Sequence, residues 1–356
     1  MNQKKIIIFY TKYNLRSASV RERFYKYFPY LKNKNIVVKI KPFINDNLFK
    51  SRIIDGNHSN MILMLSIFKR VFDVFFQKKC LVIIQYELLP YFPPLLEGIL
   101  SLRKIPFVID IDDAIFHYYD KSNNFFVQLF LKKKFYKIFS KSKAVLAGNK
   151  YLFNSAKKFG SKNTHIFPTL VSVSKKRSSL KKHNKFTVIW MGSPSTTKYL
   201  NDIRECINNI AKKYDVNFLI VGSKDCTIEP NKNIKFLDWS LKFENEYIKR
   251  CHLGIMPLRN SFWEKGKCGY KLLQYMKNEI PILASPVGVN KKILDHGDNG
   301  YFIKSKNEWE KYILELKNNS ILRKQMGRNA KKKVLSEYNI LNYQEKYLKI
   351  INKIKV

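Results

Sequence analysis

One segment in the second half of the chain combines lysines and glycines at a spacing suited to binding phosphate. It reads Phe262-Trp-Glu-Lys-Gly-Lys-Cys-Gly-Tyr-Lys-Leu-Leu-Gln-Tyr-Met276, and its glycines predict a turn that opens an apolar-periodic helix. A helix start exposes unpaired N–H groups and the positive end of the dipole, and glycines let anion oxygens approach the backbone. If the helix begins by Lys267, then Lys267 and Lys271 share a face. The segment predicts a phosphate site, with ordinary solvated lysines as the alternative.

A pair of carboxylates is the second candidate for chemistry. Asp112 and Asp113 follow the predicted strand Phe107 to Ile111. Carboxylates at a strand end can orient hydroxyl groups or act in proton transfer. The alternative is a helix N-cap, where aspartate accepts backbone N–H bonds. Because a cap needs only one aspartate, we expect a functional role for at least one of the two.

The elements that position these residues are short apolar strands alternating with helices, which indicates doubly wound parallel sheets. Residues 1–170 form the first predicted domain. Its predicted strands are Lys5 to Tyr10, Ile36 to Ile40, Cys80 to Gln85, Phe107 to Ile111 and Ala144 to Ala147. Its predicted helices include Val20 to Tyr30, Pro93 to Leu102 and Tyr151 to Phe159.

The polar stretch 171–185 predicts a linker, and residues 186–337 repeat the pattern. The predicted strands here are Phe186 to Met191, Val216 to Val221, Ile234 to Phe236, Leu253 to Met256, Ile282 to Ala284 and Gly300 to Ile303. Residues 338–356 predict an amphipathic helix that crosses back to the first domain. The fold class is therefore α/β, with two Rossmann-like domains facing each other across a cleft.

Ligands of open parallel sheets bind at the carboxyl ends of strands. Three segments of interest follow predicted strands: Asp110 to Ala114, Gly192 to Thr197, and the phosphate segment Phe262 to Met276. The patterning therefore predicts that the site is built from these three segments.

Five motifs in order resemble glycosyltransferase family 4 (group 1), with the GT-B fold, of the bacterial surface-polysaccharide type. They are Asp110 to Ile115, Trp190 to Leu200, Gly254 to Leu258, Trp263 to Met276 and Ser285 to Asn290. The resemblance covers most of the chain and is strongest from about Trp190 to Gly300.

The resemblance implies a retaining transfer of a sugar from a nucleotide-sugar, without a metal or other cofactor. The donor would bind mainly the second domain and the acceptor the first. The catalytic candidates are Lys267 and Lys271, which the resemblance places at the leaving diphosphate, together with Asp112 and Asp113 at the strand end. The donor-binding positions implied are Gly192, Ser193, Ser195, Thr196, Glu264, Gly269, Gln274, Val287 and Gly288.

Two positions depart from the family pattern, in which a pair of glutamates stands eight residues apart. Here those positions are Gly266 and Gln274. The second glutamate usually holds the ribose hydroxyls, and Gln274 can still hydrogen-bond them without a charge-assisted bond. The first touches the donor sugar, which Gly266 cannot do, and Glu264 lies close enough in sequence to substitute.

Acceptor-side candidates lie in the first domain. They are Arg16, Ser19, Arg21, Glu87 and His117. The family's glycine pair after the first strand is missing here, and the arginines and serines offer anion or hydroxyl binding instead. The alternative is that Arg21 and Arg23 form the solvated face of the first helix. For Glu87 the alternative is a loop hydrogen-bonding group, and for His117 a surface histidine.

The charge balance indicates anionic partners. There are 67 Lys and Arg against 27 Asp and Glu, a net charge of +40, which attracts nucleic acid, an anionic membrane surface or phosphorylated substrates. Asn60 to Gln77 and Asn124 to Lys141 are basic amphipathic segments. Each is either a core-facing helix with a wet basic face, the expectation for each taken alone, or a helix that lies on anionic lipid.

The apolar runs are too short to predict a membrane-spanning helix or a signal peptide. The number and spacing of the five cysteines predict neither a disulfide framework nor a zinc site. We expect a cytoplasmic enzyme, peripheral at the inner face of the membrane, whose partners are a nucleotide-sugar and a glycan or lipid-linked acceptor. No nucleic-acid motif is present. The alternative is a polyanion-binding protein or a catalytically inactive nucleotide-binding protein on the same scaffold.

Overall fold

A computed structural model describes residues 4–15, 17–45, 60–173, 180–223 and 226–356. The chain divides into two compact units. Unit 1 comprises Met1–Thr169, Gly266–Cys268 and Tyr343–Val356, and unit 2 comprises Leu170–Lys265 and Gly269–Asn342. The short stretch Gly266–Cys268, predicted within the second domain, thus packs with the first unit.

Unit 1 contains a parallel sheet of six strands in the described residues, in the order β2-β1-β3-β4-β5-β6. The strands are β1 (Ile6–Thr11), β2 (Val37–Pro42), β3 (Leu81–Gln85), β4 (Phe107–Ile111), β5 (Ala144–Ala147) and β6 (Thr164–Ile166). The five predicted strands are confirmed within two residues. The sixth was missed because three residues with one isoleucine carry no periodicity.

The first helical segment of unit 1 differs from the prediction of one continuous helix. A kink at Phe24, with φ −127°, and Pro29 at the start of a new turn break Val20 to Tyr30 into Ala18–Arg23, the 3-10 turn Tyr25–Tyr27 and Phe28–Asn33. The other helices in the described part of unit 1 are Asn60–Phe75, Leu95–Leu102, His117–Asp120, Phe125–Leu131, Lys134–Lys141, Lys150–Lys158 and Gln344–Asn352.

Unit 2 contains a second six-stranded parallel sheet in the residues described, in the order β12-β11-β10-β7-β8-β9. The strands are β7 (Thr187–Met191), β8 (Asn217–Val221), β9 (Ile234–Leu237), β10 (Leu253–Met256), β11 (Ile282–Ala284) and β12 (Gly300–Phe302). All six predicted strands are confirmed. The central strands are buried along their whole length, as expected for a parallel sheet covered on both faces.

The helices of unit 2 cover both faces of this sheet. In the described residues they are Thr197–Asn201, Arg204–Lys213, Glu244–Arg250, Phe262–Lys265, Tyr270–Met276, Asn290–Ile293, Lys306–Asn318 and Ser320–Glu337, with 3-10 turns at Pro194–Thr196 and Ile340–Asn342. One large apolar cluster, which includes Trp190, Leu253, Leu283 and Trp309, joins strands and helices into a single core.

The C-terminal residues are shared between the units. Tyr338 follows the last long helix of unit 2, whereas Tyr343–Val356 belongs to unit 1. There Tyr347 stacks on Tyr27 with ring centroids 4.5 Å apart, and Lys5 Nζ donates to the carbonyl of Ile351 at 3.1 Å. The helix Gln344–Asn352 therefore completes the core of unit 1.

The two basic amphipathic segments bury different kinds of side chain. The segment Asn124 to Lys141 divides into two helices. Phe125–Leu131 buries only Leu131, whereas Lys134–Lys141 buries Phe135, Ile138 and Phe139, as expected for a core-facing helix. The helix Asn60–Phe75 buries Ser66, Arg70 and Val74 and exposes its aromatic side. The expectation of a core-facing apolar side is wrong for this helix, because Arg70 enters the interior to donate to the carbonyl oxygens of Thr11 and Lys41.

No helix among the described residues is long and apolar enough to cross a membrane. The cysteines are all free thiols, and Cys80, Cys251 and Cys268 are buried.

Candidate active site

The sheet of unit 2 reverses its winding between the neighbouring strands β7 and β10. From β7 the chain proceeds outward to β8 and β9, and from β10 it proceeds the other way. Open parallel sheets bind ligands beyond the strand ends at such a reversal. Residues 192–196 follow β7 and residues 257–271 follow β10, so two of the predicted donor segments lie where the topology favours a ligand.

The loop after β7 is a compact turn of hydroxyl groups. Thr196 Oγ1 accepts from the N–H of Ser193 at 3.1 Å and donates to its carbonyl at 2.8 Å. Ser193 and Ser195 place their hydroxyl oxygens 3.0 Å apart. A Cβ at Gly192 would lie 2.3 Å from the Trp190 ring and 2.6 Å from Thr196 Oγ1, so only glycine fits. The turn presents hydroxyls and backbone amides within a short stretch.

Lys271 brings a positive charge to this turn. Its Nζ lies 3.2 Å from Thr196 Oγ1 and 4.6 Å from the centre of the Trp190 ring. The ring face attracts the ammonium, and the two contacts direct it toward the loop after β7. A fixed cation beside backbone amides and hydroxyls is suited to binding a phosphate group.

The predicted shared helical face of Lys267 and Lys271 is wrong. The helix begins only at Tyr270, after Gly269 turns the chain with φ 68°. Lys267 precedes that turn and packs with unit 1, where Asn149 Nδ2 donates to its carbonyl oxygen at 2.9 Å. Lys267 therefore lies in unit 1, whereas Lys271 contacts the loop after β7 in unit 2.

The positions Val287 and Gly288 form the loop after β11. Val287 is buried, and Gly288 has φ 53°, where an added Cβ would lie only 2.9 Å from the carbonyl oxygen of Lys265. The loop thus packs directly against the backbone of the phosphate segment. Its contribution comes from backbone groups and shape, since neither residue offers a polar side chain.

Glu264 is an ionised carboxylate held on both oxygens. It is 3% exposed, Tyr199 donates to its Oε1 at 2.5 Å, and Ser261 donates to its Oε2. Burial by itself would raise the pKa of Glu264, but the hydrogen bonds from Ser261 and Tyr199 and the charge of Lys198 outweigh it and lower the pKa. The structure keeps a fixed negative charge in this segment.

The two departures from the family pattern have physical counterparts. A Cβ at Gly266 would lie 2.4 Å from the Cβ and 2.7 Å from the backbone nitrogen of Ala114, so no side chain fits without movement. Gln274 is 3% exposed, and within the described residues its Nε2 has no hydrogen-bond partner. Because buried amide groups are normally paired, Gln274 is suited to an acceptor that a ligand supplies.

In unit 1 the sheet reverses between β1 and β3, and Asp112 lies at this edge in a hydrogen-bond network. Ser19 Oγ donates to Asp112 Oδ2 at 2.6 Å, and the Tyr86 hydroxyl donates to Oδ1. Gln85 Nε2 donates to Ser19 at 2.8 Å. The helix that follows has Phe116 as N-cap, without a side-chain cap. The capping alternative for the aspartates is therefore wrong.

Asp113 differs from its neighbour in exposure and in charge environment. Its side chain is 36% exposed, and Lys267 Nζ lies 3.8 Å from its Oδ1. The pKa of Asp113 is raised to about 6, because desolvation disfavours the charge and Asp112 repels it, against the attraction of Lys267 and Lys12. Asp113 is thus a carboxylate that can exchange a proton near neutral pH, while Asp112 is fixed by donors.

The arginine candidates have different outcomes. Arg16 lies outside the described residues. Arg21 is buried and donates to the carbonyl of Leu15 at 3.1 Å, and Arg23 forms a buried ion pair with Asp110 at 2.7 Å. The alternative that Arg21 and Arg23 form a solvated helix face is wrong, because their charges satisfy acceptors inside the unit.

The side chain of Glu87 is only 7% exposed and faces the interior of the unit. Both of its oxygens accept from the Tyr119 hydroxyl, at 2.8 and 2.9 Å, and it is ion-paired with Lys134, whose side chain is 1% exposed. Lys134 Nζ also donates to the carbonyl of Leu89 at 2.7 Å. The pair secures the loop after β3, so Glu87 supports this edge of the sheet.

His117 has partners on both ring nitrogens. Nδ1 lies 2.7 Å from Asp120 Oδ1, and Nε2 lies 2.7 Å from the Tyr151 hydroxyl. The ring links two helices, which shows that the expected surface histidine is instead part of a local network.

Sequence reasoning missed Tyr86 and Trp190 as members of the site. Tyr86 has φ 63°, a conformation that costs a non-glycine residue on the order of 1–3 kcal/mol, and it places its hydroxyl on Asp112. Tyr86 follows the predicted strand Cys80 to Gln85 directly in the sequence, but a positive φ at tyrosine has no sequence signal. Trp190 stands in one of the five motifs, where only the packing reveals its contact with Lys271.

Two doubly wound parallel sheets with polar loops at both reversal points define the GT-B class, and solved structures share this fold. Sucrose-phosphate synthase from Thermosynechococcus elongatus aligns with TM-score 0.69 at 11% identity over 98% of both chains. TarM aligns with TM-score 0.70 at 11% identity over 99% of both. HepE from Anabaena, in complex with UDP, aligns with TM-score 0.64 at 11% identity over 98% of this chain and 100% of that one.

Residues 172–333 match the family of glycosyl transferases group 1. The matched residues lie almost entirely in unit 2, and the chain as a whole has the GT-B fold. No curated protein sequence matches it.

Proposed function

We propose that this chain is a retaining family 4 glycosyltransferase that moves a sugar from a nucleotide-sugar to a lipid-linked saccharide. The proposed setting is surface-polysaccharide assembly at the cytoplasmic face of the membrane. The observation that carries the proposal is the placement of Lys271 Nζ 3.2 Å from Thr196 Oγ1, beside the reversal point of the unit 2 sheet.

The donor diphosphate is proposed to bind the turn Gly192 to Thr196 and Lys271. As the glycosidic bond breaks, negative charge develops on the diphosphate, and a preorganised cation with nearby hydroxyl donors stabilises it. Gln274 is proposed to hydrogen-bond the ribose, since its buried Nε2 lacks an acceptor among the described residues. No metal is required in this scheme, in line with the family resemblance.

The acceptor is proposed to bind at the carboxyl edge of the unit 1 sheet. Asp113 would orient the acceptor hydroxyl or receive its proton, because its pKa of about 6 lets it serve as a base at neutral pH. Asp112 would act as a positioning group, held by Ser19 and Tyr86. Lys267 would supply positive charge beside Asp113.

Thermal unfolding in the presence of UDP, GDP, ADP, CMP or dTDP tests the donor site directly. A ligand of the native state raises the melting temperature by mass action. UDP is the first nucleotide to test, since HepE has been solved with UDP and with UDP-glucose. We expect one nucleotide to stabilise the protein and Lys271→Met to remove most of that effect.

Stabilisation by none of the five nucleotides at millimolar concentration would contradict the proposal. Stabilisation without sugar transfer to any acceptor would favour the inactive nucleotide-binding alternative. Binding that falls steeply with salt and is indifferent to Lys271→Met would favour a general polyanion-binding protein.

A further inference from the structure

The helix Asn60–Phe75 has its polarity reversed relative to a core-facing helix. Its buried residues are Ser66, Arg70 and Val74. The large apolar side chains that follow one another at three- and four-residue spacing face solvent instead, as expected for one stripe of an α-helix. Those on this helix and just beyond it are Met61, Met64, Leu65, Phe68, Phe72, Phe75 and Phe76, each at least 55% exposed.

A second helix of the same unit exposes a similar set. Phe125, Phe126, Leu129 and Phe130 are each more than 60% exposed, and Phe125–Leu131 buries only Leu131. The helix Leu95–Leu102 adds Leu95 at 68% and Leu102 at 83% exposure. Scattered apolar residues on a surface are normal, but an accumulation of this size marks an interaction surface.

The topology places these helices on one face of the sheet. They lie in the connections from β2 to β3, β3 to β4 and β4 to β5, which all advance in one direction from the edge at β2 toward the edge at β6. Right-handed parallel crossovers that advance in one direction lie on the same face. Packing agrees, because Leu95–Leu102 contacts both Asn60–Phe75 and Lys134–Lys141.

We name this surface the apolar face, defined by the exposed side chains of Asn60–Phe76, Leu95–Leu102 and Phe125–Leu131. Its exposed charged neighbours are cationic, since Glu97 of Leu95–Leu102 is buried. Lys69, Lys78, Lys79, Lys132, Lys133 and Lys137 are exposed. The one acidic residue in Asn60–Phe75, Asp73, is paired with Lys41 at 2.8 Å, and Phe125–Lys141 contains no Asp or Glu.

We propose that the apolar face docks on an anionic lipid bilayer, with the phenylalanines entering the interface and the lysines contacting headgroups. Amphipathic helices that combine an apolar stripe with basic flanks bind in this way, and each lysine near an anionic surface adds attraction. A second copy of the chain is a poorer occupant, because it would bring the same cationic rim against itself. The inference rests on the proposed function for its setting, a lipid-linked acceptor.

Cosedimentation with vesicles tests the docking surface. We expect the protein to bind vesicles of phosphatidylcholine and phosphatidylglycerol at roughly 7:3 and to bind pure phosphatidylcholine much less, with the difference shrinking in high salt. Phe68→Ser with Phe72→Ser should weaken binding at least about tenfold, since each removes a large inserted ring. The matched control is Ile321→Ser with Leu341→Ser, which removes similarly exposed apolar side chains of unit 2 and should bind like the wild type.

A second measurement tests the proposed function independently of vesicle binding. The melting temperature of each variant with and without nucleotide reports folding and the donor site, and we expect Phe68→Ser/Phe72→Ser to keep both. Nucleotide stabilisation with no vesicle binding, or with equal binding by both double variants, overturns the docking surface alone. A dimer in analytical ultracentrifugation that Phe68→Ser/Phe72→Ser disperses, without vesicle binding, assigns the face to a second copy and also overturns it.

Discussion

Lys271→Met is the most direct perturbation of the proposed chemistry, because it removes the charge and keeps most of the side-chain stem. Loss of one preorganised donor to developing negative charge costs about 10²–10³ in rate, or roughly 2.7–4 kcal/mol. The substitution also removes the interaction with the Trp190 ring and the hydrogen bond to Thr196. These contribute on the order of 0.5–1 and 0.5–1.5 kcal/mol to the stability of the folded chain.

The stability loss is therefore at most about 2.5 kcal/mol, which lowers the melting temperature of a domain of this size by roughly 10 °C or less. The protein stays folded at room temperature, so the rate loss reports chemistry. The assay is the initial rate of nucleoside diphosphate release with donor and acceptor at varied concentrations, which separates kcat from KM. We expect kcat to fall about 10²–10³-fold.

Lys242→Met is the matched control. Lys242 belongs to the same unit, is exposed and places its Nζ 5.2 Å from the centre of the Phe243 ring, so the substitution removes the same charge and a similar ring interaction. We expect its kcat to stay within about twofold of the wild type, as for an ordinary surface substitution. A Lys271→Met enzyme with wild-type kcat would refute the assignment of Lys271 to the leaving group.

Three further outcomes are expected. Gly266→Ala should lower the free energy of unfolding in urea by about 1–3 kcal/mol through overpacking. The control is Gly98→Ala, where the added Cβ would have no neighbour closer than 3.8 Å and the free energy of unfolding should be unchanged or higher. Equal effects of the two substitutions would refute the tight packing at Gly266. Asp113→Asn should raise the melting temperature at about pH 7.5, because ionisation of a carboxyl whose folded pKa is about 6 destabilises the folded protein. The gain should vanish near about pH 4, where the wild-type carboxyl is protonated in the folded state. A gain that persists at that pH would contradict the raised pKa. Glu87→Ala should cost about 3–5 kcal/mol by leaving Lys134 buried without its ion pair, and combination with Lys134→Met should recover part of the loss in urea unfolding; additive losses would mean that the pair is not coupled.

The sequence by itself determined the fold class and every strand of the described residues except β6. Continuous apolar runs such as Phe218 to Val221 and Ile282 to Ala284 predict buried parallel strands, because both faces of such a sheet are covered. It also determined which loops carry polar groups, since Gly192 to Thr196 follows the predicted strand Phe186 to Met191 and Asp112 to Ala114 follows Phe107 to Ile111. Local periodicity and composition suffice for features of this kind.

Only the tertiary structure decided how side chains within those loops divide their roles. Lys267 and Lys271 are four residues apart in the chain, yet the turn at Gly269 places one beside Asp113 and the other beside Thr196. Two adjacent aspartates likewise differ, because distant donors fix Asp112 and leave Asp113 partly exposed.

The tertiary structure also determines which side of the amphipathic helix Asn60–Phe75 faces the interior. The pattern of Asn60–Phe75 defines an apolar stripe but does not say which side meets the sheet. The carbonyl oxygens of Thr11 and Lys41 accept hydrogen bonds from Arg70, and that buried interaction turns the phenylalanines outward. Periodicity is local information, whereas orientation depends on acceptors that lie far away along the chain.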